Sequence, residues 1–313
     1  MRRTASYQKR VHAERGGDMS QIRQAKPEEL PQIKELFQRC FGDSGSYIDH
    51  FYAAHARAEQ VLVVEEKGEI ASMATMLEMT MHLPDGEAVP VGYVYALGTS
   101  PEAQGKGYAR KLLEYAGDYL REKGMQCLTL VPATQSLFRF FEGAGLQKCF
   151  ATRKVEKMAA DFWGLAPLGD SCKMTAISPA EYNRIREEKL RGAFHISYPE
   201  HLVEFQQYGS QMTEGDLYRI EIDGEEGCCA VELVQGESAI AKELLISPDK
   251  LHRAAQLMAE TLPAARYHIR MPAFWEGLEG SFVQGFGMIK WYDEGLRRKR
   301  FACQDGYLGL AFD

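Results

Sequence analysis

The chain lacks the features that mark membrane proteins, secreted proteins and common metal sites. No apolar run approaches the ~18 residues that a membrane-spanning helix needs. The seven cysteines include no CxxC pair and no metal-ligand spacing, and the eight histidines include no HExxH pair. His50 and His55 are five positions apart rather than the three or four of a helical metal pair, so we interpret them as surface or packing residues. These absences favour a cytoplasmic protein with reduced thiols and no metal.

A secretory signal is also missing. Residues 1–18 are polar, contain no apolar core and carry five basic and two acidic groups. We therefore predict that they form a disordered or non-native extension. Without their charge of +3, the formal net charge of −7 becomes −10 for residues 19–313. So acidic a protein is not expected to bind nucleic acid, and its field favours cationic or amine substrates.

The most informative stretch is the segment QGKGYA at residues 104–109, which follows an apolar run and opens an amphipathic helical pattern. A glycine-rich turn before a helix brings several backbone N–H groups to one point, at the positive end of the helix dipole. Gly105 and Gly107 permit unusual φ values, and Lys106 adds a positive charge. The turn therefore predicts a phosphate or pyrophosphate site. It has neither the Gly-Lys-Ser/Thr of a Walker loop nor the glycine order of a Rossmann fingerprint.

Gln104, Gly107 and Ala109 match the pattern Gln/Arg-x-x-Gly-x-Gly/Ala. This pattern resembles the coenzyme-A-binding motif of the GNAT acyltransferase superfamily. The resemblance extends over residues 22–157, with LGTSPE before the loop and FRFFEGAGL at residues 138–146 after it. It implies an α/β fold with a mixed sheet, and acetyl-CoA as the cofactor.

The resemblance also implies which residues contact coenzyme A. They lie at the end of the preceding strand, in the loop and at the start of a later helix: Leu97, Gly98, Thr99, Gln104, Gly105, Lys106, Gly107, Tyr108, Ala109 and Thr134. Thr134 stands where the family often has an asparagine. Phe141 stands where the family often has a tyrosine that protonates the departing thiolate, and phenylalanine has no proton to give. The acid is therefore another group, or the thiolate leaves as the anion.

Three residues are candidates for catalysis. Tyr93 and Tyr95 share one face of the strand before the loop. A tyrosine, with its ordinary pKa near ~10, is a poor resting base, but either could orient a water, donate to the thiolate, stack on an ammonium or simply pack. Glu78 interrupts an apolar run, so it is either functional or exposed to water. In related multi-domain acetyltransferases the C-terminal carboxylate, at Asp313 in this sequence, can serve as the base.

The second half of the chain repeats this plan. Strand patterns at residues 217–222, 228–234 and 239–246 precede a helical stripe that begins at Leu251, 142 positions after Ala109. Pro248 follows Pro101 by 147 positions, so the second copy lacks five residues between strand and helix, and no glycine stands there. We interpret the chain as two similar GNAT-like domains in tandem with one working cofactor loop. The predicted boundaries are an extension at 1–18, a catalytic domain with the acetyl-CoA site at 19–157, a linker at 158–172 and a degenerate domain at 173–313.

The expected function is an acetyl-CoA-dependent N-acetyltransferase in which the amine of a small molecule or amino-acid-like compound attacks the thioester directly. One alternative is a protein or peptide acetyltransferase, which needs a groove open enough for a peptide. Another is a catalytically silent acyl-CoA sensor, suggested by Phe141 and the degenerate second half. A third keeps the fold but uses an aminoacyl or long-chain donor. The acceptor, the donor chain length and a homodimer stay open at this point.

Overall fold

The structure of the protein is a computed structural model that describes residues 20–234, 237–301 and 305–312. The proposed extension at residues 1–18 and the carboxylate of Asp313 lie outside these residues. The described residues of the first half form six strands and four α-helices, with a short π-helical turn (Phe51–His55) after the second helix. These elements are β1 (Ser20–Gln24), α1 (Leu30–Phe41), α2 (Gly45–His50), β2 (Val61–Glu66), β3 (Glu69–His82), β4 (Ala88–Thr99), α3 (Tyr108–Glu122), β5 (Cys127–Leu130), α4 (Gln135–Gly143) and β6 (Gln147–Met158).

The described residues of the second half form seven strands and four helices. They are β7 (Cys172–Ala176), α5 (Pro179–Lys189), β8 (His195–Ser197), α6 (Glu200–Gln211), β9 (Asp216–Ile222), β10 (Glu225–Val234), β11 (Ser238–Leu245), α7 (Leu251–Thr261), β12 (Arg266–Pro272), β13 (Phe282–Trp291) and α8 (Glu294–Phe301). The order of strands and helices from β9 to β12 repeats the order from β2 to β5. The tandem arrangement predicted from the sequence is therefore confirmed.

The helices form where apolar residues recur at helical spacing. In α1, Ile33, Leu36 and Phe37 face the core and are buried, and the helix ends at Gly42, whose φ of +80° suits a glycine cap. The predicted stripe of α3 is buried at Leu112, Leu113, Ala116 and Leu120. Each helix thus lays one apolar face on the sheet.

All the strands join one mixed sheet, in the order β1-β2-β3-β4-β5-β13-β6-β12-β11-β10-β9-β7, with β8 added beside β3. Among the described strands, two neighbouring pairs are parallel: β4 with β5, and β11 with β12. The last strands are exchanged between the halves. The strand β13 pairs with β5 of the first half, and β6 pairs with β12 of the second half. The two halves therefore share their sheet, and neither contains all of its own strands.

The second copy lacks the glycine-rich loop that the first copy has between β4 and α3. The missing loop would lie between β11 and α7. The 3₁₀ turn Pro101–Ala103 is followed by the loop at residues 104–107 and then by α3. The corresponding turn Pro248–Lys250 continues directly into α7 at Leu251. This difference matches the five residues that are missing from the sequence repeat.

One hydrophobic core lies between the halves. It contains Tyr93 and Tyr95 of β4 together with Tyr198, Phe205 and Phe312 from the second half. Two further cores lie under α3 and under α7. None of the helices in the described residues is both long and apolar enough to cross a membrane.

Candidate functional site

The strands β4 and β5 separate at their carboxyl ends. They pair in parallel only from Val91–Tyr93 to Cys127–Thr129, and β4 then continues to Thr99 without β5. A bulge at Ala96, with φ of +52°, breaks the pairing of β4 with β3 at the same level. A positive φ at a non-glycine residue is uncommon, and bulges of this kind often stand beside active sites. The result is a wedge-shaped opening in the middle of the sheet.

A cavity of about 630 Å³ fills this opening, within the size range of small-molecule sites. The first half lines it with Tyr93, Tyr95, Leu137 and Phe141 among others, and the second half lines it through α6 and the turn after it, Glu232 of β10 and the segment 311–312. The cavity therefore lies between the halves, where the wedge of the first half meets the helices of the second.

The glycine-rich loop lies at the other end of the wedge. Gly105 and Gly107 have φ values of +80° and +79°, and both are exposed with open space where a side chain would be. Gly107 is the N-cap of α3, and no side chain caps this helix. Because the first N–H groups of an α-helix have no partner within the helix, this end of α3 presents donors to an anion.

The loop contacts the end of β4, as the coenzyme A interpretation requires. A second cavity of about 220 Å³ is lined by Leu97, Gly98, Thr99 and Gln104. The loop and the strand end thus form one surface. At its edge, Tyr108 is buried and Ala109 is half-buried at the start of α3.

Lys106 does not extend into the space above the loop. Its Nζ lies 2.9 and 2.8 Å from the two carboxylate oxygens of Glu66 on β2. The hydrogen bond from Lys106 lowers the pKa of Glu66. The charge of Lys106 is therefore already balanced by a carboxylate, and the backbone of the loop carries most of the anion-binding capacity.

Thr134 is the N-cap residue of α4, but its hydroxyl pairs with Ser136 Oγ at 2.8 Å instead of capping the helix. Phe141 of the same helix is buried at the cavity wall, with its ring packed against Phe140. The wall at this position offers no hydroxyl.

The two tyrosines of β4 both reach the cavity. The hydroxyl of Tyr93 donates to the carbonyl of Ala311 at 2.8 Å. The hydroxyl of Tyr95 lies 3.1 Å from that of Tyr47. Burial, and secondarily the neighbouring Tyr47, raises the pKa of Tyr95 well above its ordinary value. The hydroxyl of Tyr95 is therefore neutral at physiological pH.

Glu78 lies elsewhere. It pairs in register with Gly92, on the face of the sheet that packs against Leu120 of α3, and its side chain is exposed to water. The structure does not bring Glu78 to the cavity. The sequence left open whether Glu78 is functional or exposed to water, and the structure shows that it is exposed.

Two carboxylates that the sequence did not single out line the cavity. Asp43 lies between α1 and α2 and is half-buried, and burial raises the pKa of its carboxyl. Glu232 of β10 accepts a hydrogen bond from Gln206 Nε2 at 3.0 Å and lies 3.3 Å from Lys242 Nζ. No sequence motif contains these residues, because they come together only when the two halves pack.

The segment 305–312 closes the cavity from the second half. Ala311 and Phe312 line it, and the Phe312 ring packs against Tyr95 and Phe205. The carbonyl of Leu308 accepts a hydrogen bond from the Tyr198 hydroxyl at 2.8 Å and another from Arg186 Nη2 at 3.2 Å. The segment is therefore held in place by buried side chains of the second half.

Comparisons with known proteins agree with this geometry. A family model described as an acetyltransferase (GNAT) domain matches residues 21–145. Among solved structures, the GCN5-related N-acetyltransferase from Kribbella flavida is similar with a TM-score of 0.65 at 18% identity, covering 88% of this chain and 72% of that one. The GCN5-related N-acetyltransferase from Anabaena variabilis ATCC 29413 has a TM-score of 0.69 at 14% identity, with 88% and 73% covered.

A tandem GNAT protein from the clavulanic acid biosynthesis pathway is also similar, with a TM-score of 0.54 at 12% identity, covering 87% of this chain and 98% of that one. A search of curated proteins gives no significant sequence match. These similarities confirm the fold.

Proposed function

We propose that this chain, whose residues 21–145 form a GNAT acetyltransferase domain, transfers the acetyl group of acetyl-CoA to the amine of a small molecule or amino-acid-like compound. One observation carries the proposal. The wedge between β4 and β5 runs from an anion-binding loop to a cavity that contains two carboxylates. An acyl donor with a phosphate-rich tail fits the loop end, and a cationic amine fits the carboxylate end.

The residues at the loop fit coenzyme A. The backbone at Gly105 and Gly107 and the N-terminus of α3 would hold the pyrophosphate, since both glycines have positive φ and nothing crowds their Cα atoms. The end of β4 from Leu97 to Thr99 would accompany the pantetheine arm. When bound, acetyl-CoA supplies an activated acetyl thioester.

The carboxylates support an amine as the acceptor. Asp43 and Glu232 face one cavity from opposite halves of the protein. Glu232 already pairs with Lys242 Nζ at 3.3 Å, so Asp43 would supply most of the attraction for an ammonium group, and Glu232 would add a hydrogen-bond acceptor. The acceptor must lose a proton before it attacks. Because burial raises the pKa of Asp43 toward neutrality, its carboxylate is a better proton acceptor than an exposed aspartate would be.

In the transfer itself, the amine nitrogen forms a bond to the acetyl carbon, and the carbon–sulfur bond of the thioester breaks. The thiolate then takes a proton or leaves as the anion. Phe141 cannot supply this proton, whereas Tyr93 and Tyr95 place hydroxyl groups at the cavity. We assign the donor role to this pair, and the high pKa of Tyr95 suits a group that must hold its proton until the thiolate forms.

The enclosed position of the cavity favours a compact acceptor. Helix α6 and strand β10 stand opposite α1 and α2, and the segment 305–312 covers a further side.

The test is acetyl transfer to a panel of amines, amino acids, polyamines, aminoglycosides and lysine peptides, read as product mass. We expect transfer to compact amines and little to peptides. The Glu232→Gln variant should raise KM for a cationic amine, whereas Glu122→Gln, which changes an exposed carboxylate at the end of α3, should not. Preferred transfer to peptides would contradict the assignment to small molecules, and equal KM in the two variants would remove Glu232 from the acceptor site.

A further inference from the structure

Three potential metal ligands meet where the second half adds strand β8 to β3, outside the acetyl-transfer cavity. His82 is the last residue of β3, His195 is the first residue of β8, and the two form a register pair. Glu187 lies on α5, above this pair. One ligand atom from each of the three residues lies within 4.8 Å of the other two. The group therefore combines one residue from the first half with two from the second.

The hydrogen bonds of His195 leave an unusual contact. Its Nδ1 lies 2.9 Å from the carbonyl oxygen of Ala193, and because a carbonyl can only accept, Nδ1 carries the hydrogen. In the neutral ring, Nε2 is then a bare lone pair. This lone pair faces Glu187 Oε2 at 3.1 Å, and two acceptors at that distance repel each other unless a proton or a metal cation lies between them.

The Ser197 hydroxyl does not resolve this contact. It donates to Glu187 Oε2 at 2.6 Å, and it also lies 3.4 Å from His195 Nε2. A hydroxyl has one hydrogen and can satisfy only one of the two acceptors. The pair of His195 and Glu187 therefore still requires a cation or a proton.

The contact between His195 and Glu187 matches a pair of zinc ligands, and a ring nitrogen of His82 lies within 4.8 Å of both ligand atoms. A histidine that binds a metal typically donates its other ring N–H to a carbonyl or carboxylate, as His195 does to Ala193. With zinc–ligand bonds of about 2.0–2.1 Å, neighbouring ligand atoms in a tetrahedron are roughly 3.3 Å apart, close to the observed 3.1 Å. The His82 ring lies parallel to the His195 ring, with centroids 5.0 Å apart. Two histidines and one glutamate are a known ligand set for Zn²⁺.

The local charge also admits a cation. Arg186 approaches the other oxygen of Glu187, Oε1, at 3.2 Å. The charge of Arg186 is balanced by Glu243 at 2.9 Å, so the negative charge of Glu187 is left over. His82 and Glu187 are both partly exposed. An ion can therefore reach the site from solvent, and a water molecule can reach the fourth coordination position of the ion.

We propose that His82, Glu187 and His195 bind a divalent transition-metal ion, with Zn²⁺ as the best fit, and that the ion fastens the two halves together. None of the three residues lines the acetyl-transfer cavity, so the role is structural. His195 also forms a bridge with Tyr307. The ion would therefore stabilise the strand that supports the segment 305–312.

The experiment uses the full chain after removal of metals with a chelator, in neutral to mildly alkaline buffer. Titration with Zn²⁺ should show one tight equivalent and a higher Tm, and Co²⁺ should give the visible absorption of a tetrahedral site. His82→Gln should weaken binding at least about 10-fold. The matched control is His268→Gln, because His268 also lies beside a carboxylate, Glu156, at 3.6 Å, but no third potential ligand joins them among the residues that the structure describes. The control should bind as the parent protein does.

A second variant guards against misfolding. His82→Cys should still bind Co²⁺ and should add the near-ultraviolet charge-transfer band of a cobalt–thiolate bond, which reports direct ligation. The proposal is overturned if the parent protein shows no saturable binding. It is also overturned if His82→Gln binds as tightly as His268→Gln, or if the cysteine variant lacks the thiolate band.

Discussion

Gly309 provides the sharpest test of how the segment 305–312 is held at the cavity. This residue has a φ of +83°, and an added Cβ would lie 2.3 Å from Glu243 Oε2 and 2.8 Å from Arg186 Nη2. Glu243 and Arg186 are fully buried and form an ion pair, so neither side chain can turn out into solvent. The substitution Gly309→Ala therefore cannot be accommodated while the segment stays docked in its present position.

Two contributions set the magnitude. A residue with a Cβ in the left-handed region costs about 1–2 kcal/mol, and a methyl group forced into a packed site costs about 1–3 kcal/mol more. Gly280 is a matched control, because it has a φ of +82° and nothing within 4 Å of an added Cβ. Gly280→Ala therefore has the conformational cost alone. The difference of about 1–3 kcal/mol corresponds to roughly 5- to 150-fold in an equilibrium constant.

The cost should act on the docking of the segment. Its backbone is held by hydrogen bonds to the rest of the chain, among them Gly306 N–H to the Cys149 carbonyl at 2.9 Å and Tyr307 N–H to the Phe194 carbonyl at 2.9 Å. Undocking of this segment alone exposes less surface than global unfolding does, so it requires less free energy. We expect amide hydrogen exchange in residues 305–312 to be faster by roughly 5- to 150-fold than in Gly280→Ala. The kcat/KM for acetyl transfer should fall once most molecules are undocked.

Equal exchange protection in the two variants would refute the steric reasoning. Full loss of protection with an unchanged kcat/KM would refute the placement of Ala311 and Phe312 in the working cavity. Tm measured beside both assays separates local release from global unfolding, because only the latter lowers Tm in proportion to the added cost.

Four further substitutions probe the site. Gly107→Glu should abolish acetyl-CoA binding in a calorimetric titration without loss of fold, because it adds a side chain and a negative charge at the exposed anion site. Retained affinity would contradict our placement of the pyrophosphate. Asp43→Asn should lower kcat by about 10²- to 10⁴-fold. It should also remove the acid limb of the pH–rate profile, because a base must be deprotonated and activity therefore rises with pH through the raised pKa of Asp43. The same change should slightly raise stability at neutral pH. A carboxyl whose pKa is raised by folding destabilises the protein once the pH exceeds that pKa. An unaltered free energy of unfolding would argue that burial does not raise the pKa of Asp43. Tyr93→Phe should both reduce kcat and loosen the segment 305–312, because the Tyr93 hydroxyl donates to the Ala311 carbonyl. An unchanged kcat over the pH range would show that Tyr93 does not take part in proton transfer. Glu78→Gln should leave kcat and KM unaltered, since the side chain faces water away from the cavity, and a clear loss of activity would show that we have assigned its face wrongly.

Local patterns predicted much of the first half correctly. The glycine-rich turn indicated left-handed backbone at Gly105 and Gly107, and both have it. Helical spacing identified the buried face of α3, and the internal repeat identified a second copy without the cofactor loop. These features depend on a few neighbouring residues, so they can be read from the sequence.

Contacts between distant segments were not predictable in this way. The exchange of β6 and β13 depends on which strand edges meet after both halves have formed. Asp43 and Glu232 become neighbours of one cavity only through that packing. The ion pair of Lys106 with Glu66 likewise joins a loop to a distant strand, so a charge expected to face an anion is already paired.

The acid of the reaction illustrates the same limit. The sequence showed that Phe141 cannot donate a proton, and it offered Tyr93 or Tyr95 as a donor to the thiolate, but it could not choose between that role and simple packing. The structure places the hydroxyl groups of Tyr93 and Tyr95 at the cavity, with Tyr47 beside the second. Period-2 alternation had put both tyrosines on one face of β4, whereas the environment that raises the pKa of Tyr95 comes from other elements.

The most direct test of the central claim is the consumption of acetyl-CoA, measured as release of free thiol across the amine panel. The account predicts release that depends on the acceptor, saturates with a compact amine and disappears in Gly107→Glu. Tight binding of acetyl-CoA, seen as a clear rise in Tm, with no thiol release for any acceptor would contradict it. That result would make the protein an acyl-CoA sensor.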